Sequence, residues 1–118
     1  MLVLVGCSVP YGDLIQNDDK YYYKEKPYSG KSKGVIKWED DQLLLKGSFK
    51  DGKKDGVFEQ WYSNGQLRKE EKYKVGEKNG LTTWWHGNGQ LRLEWNYKDG
   101  KLISYKCWNE DGFEEECD

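Results

Sequence analysis

The sequence predicts an all-β fold, an elongated single-sheet antiparallel meander of repeated β-hairpins that is open at its ends. Three observations support this fold class. A block of 24 residues recurs, each block carries two turn signals, and aromatic residues make up 15% of the chain although hydrophobic residues reach only 36%. This inventory is short of the aliphatic side chains that a two-layer core needs, but it suits one aromatic-rich sheet.

The repeat is clearest between residues 53–76 and 77–100, which are identical at 12 of 24 aligned positions. Weaker copies extend back to Gly34 and forward to Phe113. Degenerate terminal copies are typical of capped repeat arrays, so we expect about four units within residues 21–118.

Each unit holds two turn signals, an Asn-Gly pair at its tip and a Gly-x-x-x-Gly stretch, such as 52–56, between units. Two turns in 24 residues define two strands. Because the chain shows no helical periodicity, the units are predicted to be hairpins joined in an antiparallel meander.

The tip loop sets the expected register of each hairpin. A three-residue loop at 87–89, with Gly89 in the left-handed conformation, predicts three cross-strand pairs. These pairs are Trp85/Leu91, Thr83/Leu93 and Leu81/Trp95. The same register in the preceding unit predicts that Glu59 faces Lys69.

In the shorter first unit, a two-residue Asp40-Asp41 turn is expected to place Trp38 opposite Leu43 and Ile36 opposite Leu45. All units then share one apolar face, which is built from Trp61, Trp85, Leu67 and Leu91. The opposite face is expected to carry aromatic and charged residues.

That second face is the candidate binding surface, because aromatic residues beside arginines are typical of binding hot spots. The candidate partner-binding residues are Phe58, Tyr62, Trp84, His86, Arg68 and Arg92. We interpret them as a ridge that grips a protein or glycan. The alternative is that the sheet curls or dimerises and buries these aromatics, and that His86 fills the aromatic position that Tyr62 holds in the previous unit.

Catalysis is not predicted, so an enzyme is the least favoured function. The chain has no Ser-His-Asp spacing, nucleophile elbow or phosphate loop, and three cysteines with one histidine match no zinc spacing. We therefore expect no catalytic residue, metal or cofactor. The 19 basic and 21 acidic residues are interleaved, and this pattern disfavours nucleic-acid binding.

The first residues suggest a membrane anchor. The segment Leu4-Val5-Gly6-Cys7 resembles a bacterial lipobox, in which the cysteine carries a lipid, although only six residues precede Cys7 and none is basic. We interpret residues 1–7 as the remnant of a lipoprotein signal peptide and 8–20 as a linker. The expected location is the bacterial cell envelope, or otherwise the cytoplasm.

Two further cysteines lie near the other end of the chain. With Cys7 lipidated, Cys107 and Cys117 remain as an even pair in an oxidising compartment. The sequence leaves open whether they form a disulfide, because that depends on the register of the last hairpin.

The string from Trp61-Tyr62-Ser63-Asn64-Gly65-Gln66-Leu67 to Gly76, repeated from Trp85 to Gly100, resembles the bacterial variant of the MORN repeat (membrane occupation and recognition nexus). The resemblance runs from about Tyr21 to Gly112. It implies an elongated, twisted antiparallel sheet, and many small members of this group are secreted or lipid-anchored.

We therefore expect a non-catalytic module that is lipid-anchored in the envelope and binds another protein. The alternative is an antitoxin- or immunity-like protein that neutralises a toxin partner, because one group of such repeat proteins carries that label. Self-association through the open sheet edges is a further expectation.

Overall fold

The computed structural model describes residues 9–38 and 41–117, with side chains for 9–35 and 42–117. The described chain is elongated, with principal extents of 53 × 32 × 24 Å. Its elements are β1 (Val9–Pro10), a 3-10 turn (Tyr11–Asp13), β2 (Ile15–Asn17), β3 (Lys20–Tyr23), β4 (Lys26–Pro27), β5 (Gly30–Trp38), β6 (Asp41–Lys50), β7 (Lys53–Lys54), β8 (Gly56–Trp61), β9 (Leu67–Lys74), β10 (Glu77–Lys78), β11 (Gly80–Trp85), β12 (Leu91–Lys98), β13 (Lys101–Trp108) and β14 (Glu114–Glu115).

The predicted all-β fold with an open meander of hairpins is confirmed. One large sheet has the strand order β1-β5-β6-β8-β9-β11-β12-β13-β14, with the short β7 and β10 beside β6 and β9. All its pairs are antiparallel except β1 with β5. A second, three-stranded sheet of β2, β3 and β4 adds to the predicted single sheet, so the segment expected as a linker contains β1, the 3-10 turn and β2.

Two kinds of turn recur with the repeat. Between units, Asp51-Gly52, Val75-Gly76 and Asp99-Gly100 have positive φ at both residues, which is the type I′ geometry that matches the twist of paired strands. At the tips, Gly65 and Gly89 have φ of 87° and 89°. The left-handed conformation predicted for Gly89 is therefore confirmed.

One-residue bulges at Arg68 and Arg92 change the register that the sequence predicts. The tip pair Trp85/Leu91 is confirmed, but the next residue of β11, Trp84, pairs with Leu93, so Arg92 is an extra residue in its strand. Arg68 is the equivalent extra residue in β9. A one-residue shift moves every following side chain to the other face of the sheet.

The pairs predicted beyond the bulges are consequently wrong. Thr82 rather than Leu81 pairs with Trp95, and Thr83 pairs with Glu94. In the preceding unit Glu59 pairs with Glu70 and not with Lys69.

We call the two sides of the large sheet the inner face and the outer face. The inner face carries Leu43, Phe49, Phe58, Glu71, Tyr73, Thr82, Trp84, Leu93 and Trp95. The outer face carries Val35, Leu44, Trp61, Leu67, Leu81, Trp85 and Leu91. The predicted apolar face of Trp61, Trp85, Leu67 and Leu91 is therefore one side of the sheet, but it is not the side that holds the core.

The predicted turn of the first unit is also corrected. Trp38 pairs with Asp41 and Ile36 with Leu43, because Asp41 begins β6 instead of forming a turn with Asp40. This shift is two residues, so it leaves the sidedness of the strands unchanged. Residues 39 and 40 lie outside the described residues.

The core is an aromatic row on the inner face. Ring centroids are 4.8 Å apart for Tyr21 and Phe49, 5.3 Å for Phe49 and Phe58, and 5.3 Å for Phe58 and Tyr73. Gly47 leaves the space that the Phe58 ring fills, because a Cβ there would collide with that ring. The row runs across neighbouring strands and so connects the repeats.

In the fourth unit, the side chains after the start of β13 lie on the opposite faces of the sheet from their counterparts in the earlier units. Gly56 and Gly80 have φ of 102° and 106°, a conformation that side chains disfavour, and the fourth copy has Ser104 at this position. Between β12 and β13 the register shifts by one residue, at Ile103. Tyr105 and Cys107 consequently lie on the inner face, opposite Trp95 and Leu93.

Candidate functional site

The predicted binding ridge does not form one surface. Phe58 belongs to the aromatic row of the inner face, and Trp84 also lies on that face. The bulges in β9 and β12 make it the packed side of the sheet, because they turn Tyr73, Leu93 and Trp95 towards it. Two cations lie near the Trp84 ring, the guanidinium carbon of Arg68 at 4.8 Å and the Nζ of Lys69 at 4.7 Å from its centroid. Phe58 and Trp84 are thus part of the packed interior of the array.

Tyr62 and His86 make equivalent contacts at successive hairpin tips. The Tyr62 hydroxyl donates a hydrogen bond to the carbonyl oxygen of Trp85, and the Nε2 of His86 lies 3.0 Å from the carbonyl oxygen of Trp108. Each side chain therefore joins its own tip to the next unit. His86 occupies the position that Tyr62 holds one repeat earlier.

The two predicted arginines differ in their surroundings. Arg68 is partly buried and donates a hydrogen bond of 2.6 Å to the Oε1 of Gln60, besides its contact with Trp84. Arg92 is exposed and borders a hollow with His86 and Trp108. Of the two arginines, only Arg92 is exposed to solvent, as a residue of the predicted binding ridge would have to be.

A buried charge cluster on the inner face has no counterpart in the sequence-based prediction. The carboxylate of Glu71 lies 3.0 Å from the Nζ of Lys69 and 3.2 Å from that of Lys78, and it accepts a hydrogen bond from the Tyr73 hydroxyl. Burial alone would raise the pKa of Glu71, but the two ammonium groups outweigh it and the pKa lies below its ordinary value.

Lys54 lies beside this cluster, under the aromatic row. Its Nζ is 5.0 Å from the centroid of the Tyr73 ring and 5.1 Å from that of Phe58. Burial lowers the pKa of Lys54, and the nearby Glu71 carboxylate opposes that effect. The charged groups of the inner face therefore have partners within the fold. We assign to them a role in stabilising the fold.

The outer face carries an apolar row. The predicted register did not identify this row as exposed, because it took the same face for the core. Val35 pairs with Leu44, Leu44 with Trp61, and Trp61 with Leu67, so four neighbours on four adjacent strands form a row across the sheet. We call these residues the outer-face stripe. With strands about 4.8 Å apart, it extends over about 14 Å.

A concave hollow of about 480 Å³ lies along the outer-face stripe. It is lined by Val35, Gln42, Leu44, Lys46, Trp61, Tyr62, Ser63 and Gly65. The Nζ of Lys46 is 5.8 Å from the centroid of the Trp61 ring, so a positive charge borders the apolar surface. Tyr62 is the one predicted binding residue that the structure places here.

The cysteines occupy two separate places. Cys107 and Cys117 form a disulfide, with Cα atoms 5.3 Å apart, because β13 and β14 are paired next to them. Cys7, the predicted lipidation site, lies outside the described residues. In the part of the chain that the structure describes, no group of three or more His, Cys, Asp or Glu side chains could hold a metal ion.

The described residues include no helix that is long and apolar enough to cross a membrane.

Comparison with protein families identifies the two central hairpins. Residues 54–74 and 78–99 each match the family model described as the MORN repeat variant. No curated protein and no solved structure matches the chain. The matched segments begin at β7 and β10 and cover β8–β9 and β11–β12, so the resemblance recognised in the sequence is confirmed at the repeats.

Proposed function

We propose that this array of MORN-variant repeats is a non-catalytic module that binds a partner protein through the outer-face stripe. The observation that carries the proposal is the row Val35, Leu44, Trp61 and Leu67 beside its hollow. The match to the MORN repeat variant supports an interaction module, and the stripe supplies a surface for that role.

The exposure of the stripe supports binding. Val35 is 63% exposed, and the other three side chains of the stripe, Leu44, Trp61 and Leu67, are half-buried, so each leaves part of its apolar surface open to solvent. Contiguous exposed apolar surface is rare on monomeric proteins and is typical of interaction sites. Tryptophan is enriched among the residues that contribute most to binding in protein interfaces.

The backbone holds the stripe in place before any partner arrives. Each of its four side chains projects from a different strand, and the sheet hydrogen bonds fix their spacing. A surface of this kind loses little conformational entropy when it binds. It suits a partner segment that lies across the strands.

The bordering charge indicates the chemistry of that segment. The ammonium group of Lys46 lies close to Trp61 on the rim of the hollow. An acidic residue next to apolar residues in the partner would complement both features, because rim charges favour one orientation and raise the association rate.

A displayed library of random peptides tests this proposal. Peptides are selected on the full-length wild-type protein, and the affinity of each selected peptide is measured by fluorescence polarisation. We expect apolar peptides with at least one acidic residue. Val35→Lys should weaken their binding by about tenfold or more, because it places a charge in the apolar contact.

The matched control is Val75→Lys, which adds the same charge at a valine that is 52% exposed in a turn between units. This variant should bind the peptides as the wild type does. Equal binding by the Val35 and Val75 variants, with both proteins folded, would contradict the proposed surface.

We further propose that lipidation of Cys7 attaches the module to the bacterial envelope. The support is the segment Leu4-Val5-Gly6-Cys7 in the sequence. Metabolic labelling with a clickable fatty acid should mark the wild type and not Cys7→Ser. Failure to label the wild type would rule out this attachment.

A further inference from the structure

We infer that the free edge of β13 pairs with the same edge of a second copy of this chain. The contact uses the end of the sheet and is separate from the outer-face stripe. It would join two arrays into one continuous sheet related by a twofold axis.

The first observation is an uncovered length of strand. In the described part of the chain, β14 is the only element on this edge of β13, and it pairs only with Cys107 and Trp108. Residues 101–105 therefore present their outward backbone groups to solvent. Such an edge is a template for another strand.

The other end of the sheet differs. There β1 pairs with β5 at Ser32 and Lys33, and Tyr11 packs against Gly34. Natural sheets cover or blunt their edges in this way to prevent further pairing. β1 and Tyr11 thus cover β5 in its middle, at residues 32–34, whereas β14 leaves the five consecutive residues 101–105 of β13 without a strand partner on this edge in the described part of the chain.

The second observation is an apolar surface on that same strand. Leu102, Ile103 and Tyr105 are 45%, 57% and 60% exposed. Leu102 pairs with Tyr97, and Tyr105 pairs with Trp95. Leu102 and Tyr105 therefore extend the aromatic surface of Trp95 and Tyr97 on the inner face as far as the open edge. A strand added at the edge would bury part of that surface.

Charge complementarity indicates that the added strand is a second copy. Lys101 begins β13, whereas Glu114, Glu115 and Glu116 lie beside its far end. An antiparallel copy centred on Ile103 would bring each Lys101 towards the acidic segment of the other copy. The contact is therefore self-complementary and occurs twice.

Oxidative cross-linking tests the register. In a Cys7→Ser background, Ile103→Cys would place two thiols across the twofold axis, where opposed Cα atoms are about 4.5–5.5 Å apart and within disulfide range. The matched control is Val75→Cys, in an exposed turn. We expect covalent dimer to form at least about tenfold faster from the Ile103 variant, because the contact raises the local thiol concentration. Equal rates would overturn the proposal.

A charge exchange tests the partner. Lys101→Glu alone, and Glu115→Lys with Glu116→Lys, should each weaken self-association about tenfold in sedimentation velocity, since two contacts are reversed. An equimolar mixture of the two variants should recover the wild-type association, because both contacts are again attractive. A mixture that associates no better than either variant alone would overturn the proposal.

Discussion

The hydroxyl of Tyr62 donates a hydrogen bond to the carbonyl oxygen of Trp85, 3.3 Å away in the next repeat. The His86 ring makes the corresponding contact with the carbonyl of Trp108. At the other end of the strands, the backbone N–H of Gly76 donates to the carbonyl of Lys54, 2.7 Å away, so successive units are joined at both ends.

Removal of the Tyr62 hydroxyl should therefore weaken the stacking of the repeats. We expect Tyr62→Phe to lower the free energy of unfolding by about 1 kcal/mol, which is the usual contribution of one hydrogen bond. Urea unfolding at neutral pH measures the change. Tyr105→Phe is the control, because that ring is exposed in the single chain, and at a protein concentration low enough to keep the chain monomeric it should leave the midpoint unchanged. A Tyr62→Phe protein as stable as the wild type would show that this bond does not join the tips.

Gly47 should be intolerant of any side chain. A Cβ at this position would overlap the Phe58 ring, which is held between the Phe49 and Tyr73 rings. We expect Gly47→Ala to cost about 1–3 kcal/mol, the usual cost of overpacking a core. Gly12→Ala is the matched control, because nothing lies within 4 Å of its Cβ position. Thermal unfolding of both variants measures the difference, and equal melting temperatures would contradict the packing.

Glu71 should make stability depend on pH. Its pKa is lowered in the fold, so its carboxylate stabilises the protein above the unfolded-state pKa, and that stability is lost as pH falls through the lower folded value. At neutral pH, Glu71→Gln should lower the free energy of unfolding by about 3 kcal/mol, because it leaves Lys69 and Lys78 without their counter-charge.

Denaturant unfolding at neutral pH and at about pH 3, below the ordinary glutamate pKa, tests this prediction. The gap between wild type and Glu71→Gln should narrow at the acidic pH. Glu70→Gln is the control, because Glu70 faces Glu59 on the outer face and its removal should not destabilise the protein. A gap that is the same at both pH values would contradict the assigned role of Glu71.

Sequence reasoning recovered the hairpins, the left-handed Gly89 and the tip pair Trp85/Leu91, because turn residues and repeats report local geometry directly. The bulges at Arg68 and Arg92 were missed because an extra residue leaves no mark in turn composition. The adjacent Trp84 and Trp85 were the available signal. Neighbouring strand residues lie on opposite faces, so each face of the sheet had to carry one of these tryptophans.

The buried charge cluster was missed for a different reason. Residues 69–72 are Lys-Glu-Glu-Lys, so no alternation of apolar and polar residues shows which of them faces inward. The structure buries Glu71 at the position that Trp95 fills one repeat later. The fourth copy has Ser104 where the earlier units have Gly56 and Gly80, and this difference is visible in the sequence. The sequence does not show that those two glycines have positive φ, so it could not predict which side chains of β13 face inward.

The binding proposal depends on which side of each strand faces outward, and thiol accessibility of adjacent residues tests this most directly. Leu81 is 38% exposed and Thr82 is 1% exposed. In a Cys7→Ser background with the Cys107–Cys117 disulfide intact, Leu81→Cys should react quickly with a maleimide, and Thr82→Cys should react at least about 100-fold more slowly because it requires local opening. Rapid reaction at Thr82→Cys with protection at Leu81→Cys would match the register without bulges and would contradict the assignment of Leu81 to the outer face.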